Sequence, residues 1–568
     1  MKFEGPKTEF AKETHARKYR GIGESFDEYA TRVADTLADD DAHFEDVREI
    51  LGEQRFLPGG RIQSAVGSPR NVTAFNCFVS PTIHDSMEGI MDVAKYSALT
   101  MKKGGGIGYD FSSIRPSGSH IVSLDSAASG PISFMQIFDA TCKTVASAGN
   151  RRGAQMGVLR VDHPDIEAFI EAKTNDTELT AFNISVGVTD EFMECVENNK
   201  EFELTFEGKV YKRVNAKKLY DKLMRATWDW AEPGVLFLDR INQMNNLYYC
   251  ETISATNPCG EQPLPPNGAC LLGSFNLTKY VSEYDGVYKA FNYELFMRDI
   301  RAVVRAMDNV IDNTPYPMPE QEEEAKNKRR MGLGVTGLAN ALEYLGYEYG
   351  SADFLIFEEE LLQFLTNEAY IASSELAKEK GSFPLYDAEK YCNGEFFKTL
   401  DEETQQCIRE NGIRNSHLIS IAPTGTISLC ADNISSGIEP VFSHSYTRDV
   451  LKDGITVRET VKDYGMMEWG VKGRTAGECT VDEHLAVLAA AQKYTDSACS
   501  KTINVGDDVT WDQFKDIYMK AWKMGCKGVT TFRASGKRFG ILNETKEEEK
   551  EEAKACFYDP ATGKKECE

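Results

Sequence analysis

An amide, a thiol and a carboxylate fall at alternate positions in Asn257-Pro258-Cys259-Gly260-Glu261. The stretch lies inside Thr256-Asn257-Pro258-Cys259-Gly260-Glu261-Gln262-Pro263-Leu264-Pro265-Pro266, whose prolines and Asn-Pro pair forbid a helix interior and favour a stiff loop. In an extended backbone alternate side chains project on one side, so the three groups would face a common ligand. A thiol beside a carboxylate base and an amide hydrogen-bonder suits radical or nucleophilic chemistry on a polyol. A turn wrapped round a buried cysteine would use the same residues, and the segment alone leaves both readings open.

Two glycine-bearing segments also suggest chemistry. Pro423-Thr424-Gly425-Thr426-Ile427-Ser428 follows the apolar run His417-Leu418-Ile419-Ser420-Ile421-Ala422. Small residues with free N–H groups after a strand suit phosphate oxygens, with a plain turn as the alternative. Gly332-Leu333-Gly334-Val335-Thr336-Gly337 has the spacing of a dinucleotide fingerprint, yet it follows the basic Lys326-Asn327-Lys328-Arg329-Arg330 where a buried strand would be required. We read its glycines as close helix packing. No two of the 14 cysteines are spaced Cys-x-x-Cys, which excludes zinc ribbons and thioredoxin-type motifs and leaves no metal-ligand set. Most are read as reduced, packed thiols.

The elements that must position these groups alternate. Apolar strands such as Gly157-Val158-Leu159-Arg160-Val161 and residues 417–422 are interleaved with helical spacing over 87–102, 293–313 and 357–380. That alternation predicts an α/β class with a parallel arrangement, barrel or doubly wound. Phe26, Tyr29, Val33 and Leu37 share one helical stripe, predicting a short helical segment over 1–54 before a main domain at 55–543. Residues 544–568 read as a flexible acidic tail, beginning with a solvated charge run and carrying Cys556 and Cys567 where there is no core to bury them.

At 568 residues, with 41% hydrophobic and 27% charged residues, the chain can bury a sizeable core. No run reaches membrane-span length and the polar N-terminus has no apolar signal region, so a cytoplasmic protein is expected. A net charge of −25 argues against nucleic acid and membrane partners, without excluding small phosphorylated ligands.

The wider pattern resembles the ribonucleotide reductase catalytic subunit. The resemblance runs in order through Phe75-Asn76-Cys77-Phe78-Val79, Asp85-Ser86-Met87, Lys103-Gly104-Gly105-Gly106-Ile107-Gly108, Ser113-Ile114-Arg115-Pro116-Ser117-Gly118, Arg151-Arg152-Gly153-Ala154-Gln155-Met156-Gly157 and Asp162-His163-Pro164-Asp165-Ile166. It continues through Asn257-Pro258-Cys259-Gly260-Glu261, Cys270-Leu271-Leu272-Gly273-Ser274-Phe275-Asn276-Leu277 and Ala422-Pro423-Thr424-Gly425-Thr426-Ile427-Ser428. The fold it implies is a ten-stranded α/β barrel threaded by a finger loop. The resemblance makes Cys259 a thiyl radical that takes the 3′-hydrogen of a ribonucleotide, with Glu261 accepting the 3′-hydroxyl proton and Asn257 bonding near the ribose hydroxyls. Cys77 and Cys270 become the redox pair, and Pro423, Thr424, Gly425 and Thr426 hold substrate phosphates. Asp85 and Arg115, with the loop carrying Asn150, Arg151 and Arg152, match a site where a deoxynucleoside triphosphate selects the substrate. Cys556 and Cys567 would re-reduce the pair and pass the oxidation to thioredoxin or glutaredoxin, although their spacing is wider than usual in the family.

Family motifs begin near residue 57, so the N-terminal cone domain that confers on/off control in many members is not expected, and no glycyl-radical motif is present. Lys527-Gly528-Val529-Thr530-Thr531-Phe532-Arg533-Ala534-Ser535-Gly536 lacks the adjacent tyrosines of the class served by a separate radical-generating subunit. The segment resembles the adenosylcobalamin-dependent branch, which is favoured; related compact phage enzymes use a metal-containing ferritin-like partner, which stays as the alternative. A homodimer is expected from the family. The competing functions are a nicotinamide-dependent oxidoreductase and a catalytically inactive nucleotide-binding subunit.

Overall fold

The computed structural model describes all residues except 1, 123–124, 146–152, 175–176, 285–287, 453–454, 538–542, 545–555, 559–564 and 568, with backbone alone at 284, 448–452, 455–456, 543–544, 556–558 and 565–567. Three helices, Glu9–Tyr19, Phe26–Leu37 and Asp41–Gly52, open the chain. Ser25 and Glu28 close a capping box on the second, and its stripe of Phe26, Tyr29, Val33 and Leu37 is buried as its spacing requires. This lead-in packs on helix Tyr293–Asp312, where His43 meets the Ala302 carbonyl at 2.9 Å and Asn309 donates to Leu37 O at 2.8 Å.

Eleven strands frame the site: β1 Phe56–Pro58, β2 Cys77–Val79, β3 Gly106–Asp110, β4 Gln155–Arg160, β5 Phe182–Val188, β6 Gly234–Phe237, β7 Ala269–Cys270, β8 Leu272–Asn276, β9 Gly332–Thr336, β10 Thr502–Val505 and β11 Gly528–Arg533. Eight of them form a sheet in the order β7-β2-β3-β4-β5-β6-β11-β10, parallel from β2 through β6 and antiparallel where β7 meets β2 and β11 meets β6. A second sheet has the order β1-β8-β9. The sheets are joined on one side through Leu271, between β7 and β8, and on the other by isolated parallel bridges Leu333↔Ile419 and Ile421↔Cys499.

The class expected from sequence, mixed α/β with a large parallel sheet, is what the chain adopts. The expected ten-stranded ring is not a continuous ladder. Residues 417–422, read as a strand, are extended but make only single bridges, because the Leu418 and Ile419 N–H groups are taken by the Asp496 carboxylate at 2.7 and 3.1 Å. Helix Met87–Lys102 starts at its Ser86 cap as the spacing predicts, whereas the helix read over 357–380 begins earlier, at Ala352, capped by Ser351.

The glycine-rich segment requires a correction. Gly332–Thr336 is itself the buried strand β9, and only Gly337, at φ +75°, marks the turn into helix Leu338–Leu345. Its glycines serve strand contact, not helix packing: a Cβ on Gly334 would stand 2.4 Å from the Ser420 carbonyl oxygen. The phosphate-binding turn of a dinucleotide fingerprint is thereby removed, because the first two glycines lie inside the strand.

Helices cover the outer faces, and the seams between them carry buried ion networks. Asp308, fully buried, accepts Arg329 Nε at 2.8 Å, Arg414 Nε at 3.1 Å and Asn415 Nδ2 at 2.9 Å. Asp308→Ala strips two guanidinium groups of their shared carboxylate and should cost about 3–5 kcal/mol in urea unfolding; a loss below roughly 1 kcal/mol would show the network to be slack.

Candidate active site

The inner faces of the sheets meet a hairpin. Ala255–Thr256 pairs antiparallel with Pro263–Leu264, and Ala255 and Leu264 pack with Val79, Met156, Val158, Leu236, Cys270 and Leu272 in a core of their own. The contact is tight at Gly108 of β3, where an added Cβ would lie 1.8 Å from Thr256 O. Only glycine permits this approach of backbone to backbone.

The tip of the hairpin is a turn, not extended chain. Gly260 N donates to Asn257 O at 3.1 Å, and Gly260 adopts φ +84°. The three groups therefore do not project on one side as alternate positions suggested: Asn257 and Glu261 are buried, while Cys259 is exposed at the apex. Asn183 Nδ2 holds Pro258 O at 2.9 Å, and the Glu261 carbonyl accepts Ser420 Oγ at 2.9 Å and Ala498 N at 3.0 Å. Each side of the turn is thus tied to a different strand region.

Cys77 and Cys270 stand directly opposite each other where β2 pairs with β7. Facing residues of an antiparallel pair have Cα atoms about 4.5–5.5 Å apart, within the span a disulfide needs. Neither is in a disulfide. Asn257 Nδ2 donates to Cys77 Sγ at 3.2 Å, so the hairpin tip touches the pair, and Asn257 Oδ1 accepts Gln262 N at 2.9 Å. Burial, then the neighbouring Cys77 and Glu261, push the Cys270 thiol far above its ordinary range. It is kept as S–H, a hydrogen donor and not a thiolate.

Thr424, at φ +50°, heads the short helix Gly425–Leu429. Its hydroxyl turns inward, 3.0 Å from both Thr336 Oγ1 and Ser428 Oγ and accepting Gly437 N at 2.7 Å, while Gly425 and Thr426 are exposed. Of the segment Pro423 to Thr426, the exposed backbone of Gly425 and Thr426 can face a ligand; the Thr424 hydroxyl is already committed. Ser428, the last residue of the segment read from sequence, joins this cluster, and Thr336, Ser435 and Gly437, which complete it, were missed. The small polar run Ser435-Ser436-Gly437 after Asn433 was the available signal.

Asp85 and Arg115 come together as partners: Arg115 Nε donates to Asp85 Oδ2 at 2.6 Å and its backbone N to Oδ1 at 3.2 Å, both side chains partly exposed. Asn150, Arg151 and Arg152 lie outside the described residues. In the tail, strands Cys556–Tyr558 and Lys565–Cys567 pair antiparallel with Cys556 opposite Cys567, so the wide spacing in sequence closes to a facing pair in register.

An exposed cysteine on a wedged hairpin, backed by a reducible cysteine pair inside an α/β sheet assembly, defines a thiol-based redox enzyme. Residues 75–532 match the family described as ribonucleotide reductase, barrel domain. The chain belongs to the ribonucleotide reductase family. It is 35% identical over 541 residues to a vitamin B12-dependent ribonucleoside-diphosphate reductase of Thermoplasma acidophilum, covering 89% of this chain and 67% of that protein. It is 36% identical over 524 residues to one from Mycobacterium tuberculosis, covering 87% and 72%, and 29% identical over 630 residues to a vitamin B12-dependent ribonucleotide reductase of Streptomyces avermitilis, covering 96% and 64%. Among the described residues no helix is long and apolar enough to cross a membrane.

Proposed function

We propose that this chain reduces ribonucleotides to 2′-deoxyribonucleotides, the precursors of DNA, by thiyl-radical chemistry at Cys259. The observation that carries the reading is the register of Cys77 against Cys270 with Asn257 of the hairpin bonded to Cys77. The Cys259 thiyl removes the 3′-hydrogen of the ribose, and Glu261 takes the 3′-hydroxyl proton. The 2′-hydroxyl leaves as water with a proton from the cysteine pair. Cys77 and Cys270 give up two electrons and a second hydrogen, which goes to C2′, and end as a disulfide; Glu261 returns its proton to the 3′-oxygen and Cys259 returns its hydrogen to C3′, restoring the thiyl. Asn257, Glu261 and the cysteine pair are buried beneath the hairpin tip, which keeps water from the groups that would serve the reduction at C2′.

The radical source favoured is adenosylcobalamin. Cys259 is exposed and a Cβ on Gly260 would meet nothing within 4 Å, so a bulky group could reach the thiol, and Cys259 and Gly260 would face it. When bound, it supplies the one-electron oxidation of the Cys259 thiol. The names of the relatives support this over a ferritin-like small subunit. The purified chain should form deoxyribonucleotide with adenosylcobalamin, reductant, substrate and effector as the only additions, and none when the cobalamin is withheld. Activity that needs a second subunit would overturn the assignment.

Phosphates would rest on the exposed Gly425 and Thr426 backbone, and Asp85 with Arg115 would receive the sugar and phosphates of a deoxynucleoside triphosphate effector. Met87, Met91 and Leu99, exposed on helix Met87–Lys102 beside that site, support a homodimer. The facing Cys556 and Cys567 would reduce the Cys77–Cys270 disulfide and hand it to thioredoxin or glutaredoxin. Cys556→Ser combined with Cys567→Ser should stop thioredoxin-driven turnover yet leave one turnover of prereduced enzyme intact; equal steady-state rates would remove the tail from the cycle.

A further inference from the structure

The loop that carries Gly437 is tied down at a distance from the cysteines. The Ser435 carbonyl accepts Thr336 Oγ1 at 3.0 Å and Gly337 N at 2.7 Å, and Gly437 N reaches Thr424 Oγ1 at 2.7 Å and Thr336 Oγ1 at 3.3 Å. Gly437, at φ +55°, passes so close to the preceding strand that a Cβ would be 2.8 Å from Ala422 O. The placement of the Thr424 hydroxyl thus follows the placement of Gly437.

Two residues further on, Glu439 holds the other end. Its Oε2 pairs with Lys501 Nζ at 2.7 Å and its Oε1 accepts Thr502 N at 2.6 Å. The Lys501 side chain has no solvent exposure; its ammonium also lies 3.1 Å from His484 Nδ1 and 5.6 Å from the Tyr349 ring, whose hydroxyl donates to Ile438 O at 2.7 Å. The fully buried Glu358 also feels Lys501, but burial raises its carboxyl far above the usual range, so it stays neutral and leaves Glu439 as the anionic partner. An ion pair whose ammonium is fully buried costs desolvation and is a weak source of net stability, which directs attention to what it positions.

We propose that the Glu439–Lys501 ion pair is a positioning device for the phosphate end of the substrate, fixing residues 435–439 so that Gly437 holds Thr424 and the Gly425–Thr426 backbone in register for phosphate. This rests on reading residues 423–426 as the phosphate loop. Neither residue touches the reacting carbon; they act through Thr424.

The test uses the full chain with Glu439→Gln, and with Glu439→Gln combined with Lys501→Met so that no unpaired charge is left buried. Binding of CDP and of cytidine is measured side by side with steady-state kinetics. The expected result is a loss of CDP affinity of about tenfold, the scale of a charge-assisted hydrogen bond, with a matching rise in KM. Cytidine affinity should hold, kcat should stay within about twofold, and Glu439→Asp should recover part of the loss. Equal weakening of CDP and cytidine, or unchanged CDP binding in either folded variant, would overturn the proposal. Thr424→Val separates the two layers: if it weakens CDP while the Glu439 variants do not, only the positioning role falls, and if neither does, the phosphate-loop reading falls with it.

Discussion

Cys259→Ser should abolish deoxyribonucleotide formation, a fall on the order of 10⁴-fold or more, as for groups without which a reaction cannot proceed. The hydroxyl O–H bond is too strong to exchange its hydrogen with a ribose C–H, so the replacement keeps shape and polarity while removing the chemistry. Structure should be untouched: Cys259 is exposed, and the turn beneath it is held by Gly260 N to Asn257 O and by Asn183 to Pro258 O. Stability should remain within about 0.5 kcal/mol of the parent, the usual range for an exposed substitution. Chromatographic product analysis beside a thermal melt checks both halves. Measurable turnover by the serine variant would remove the radical role from Cys259.

Cys270→Ser should be nearly as severe, because the pair then has one electron donor short and cannot close a disulfide. No Cys77–Cys270 bond should appear on mass mapping after incubation with substrate. The direction of the Cys270 shift adds a pH expectation. Its proton is held more tightly in the folded chain than at the ordinary thiol value of 9.0, so the S–H form persists through pH 9 and is lost only above it. Single-turnover rates of the parent should therefore show no fall between pH 7 and 9 from this group, and native Cys270 should resist iodoacetamide over that range. In linkage terms, the stability this shift contributes is complete below pH 9 and disappears as pH climbs through the folded value. Rapid alkylation of Cys270 at pH 8 would contradict the buried, protonated thiol.

What could be read from sequence divides along a physical line. Helix Met87–Lys102 is set by local signals, Ser86 at its cap and an apolar stripe, and was placed to the residue. Residues 417–422 look like any buried strand, but their first N–H groups are claimed by Asp496, far along the chain, which no local pattern reveals. Gly332 and Gly334 match a turn fingerprint by spacing, although the need they answer is the approach of Ser420 from another segment. The same holds in the site. Asn257, Cys259 and Glu261 were legible as a group because they are neighbours; their split into two buried groups and one exposed thiol depends on the turn at Gly260. The facing of Cys77 and Cys270 came from family resemblance, since register between distant strands is a tertiary fact. The hydroxyls of Thr336 and Ser428 and the Ser435 carbonyl look unremarkable until folding gathers them.

The close fit at Gly108 also bears on how the sheets hold the loop. A hairpin whose backbone presses on β3 leaves no room for a side chain at position 108, so the seat of the loop and the spacing of the strand are set together. The connection at Ile419 and Ile421 is made by single bridges and not by a ladder. That seam runs beside Ser420 and Ala498, the two residues that grip the Glu261 carbonyl. The join between the sheets and the anchor of the candidate catalytic loop therefore coincide.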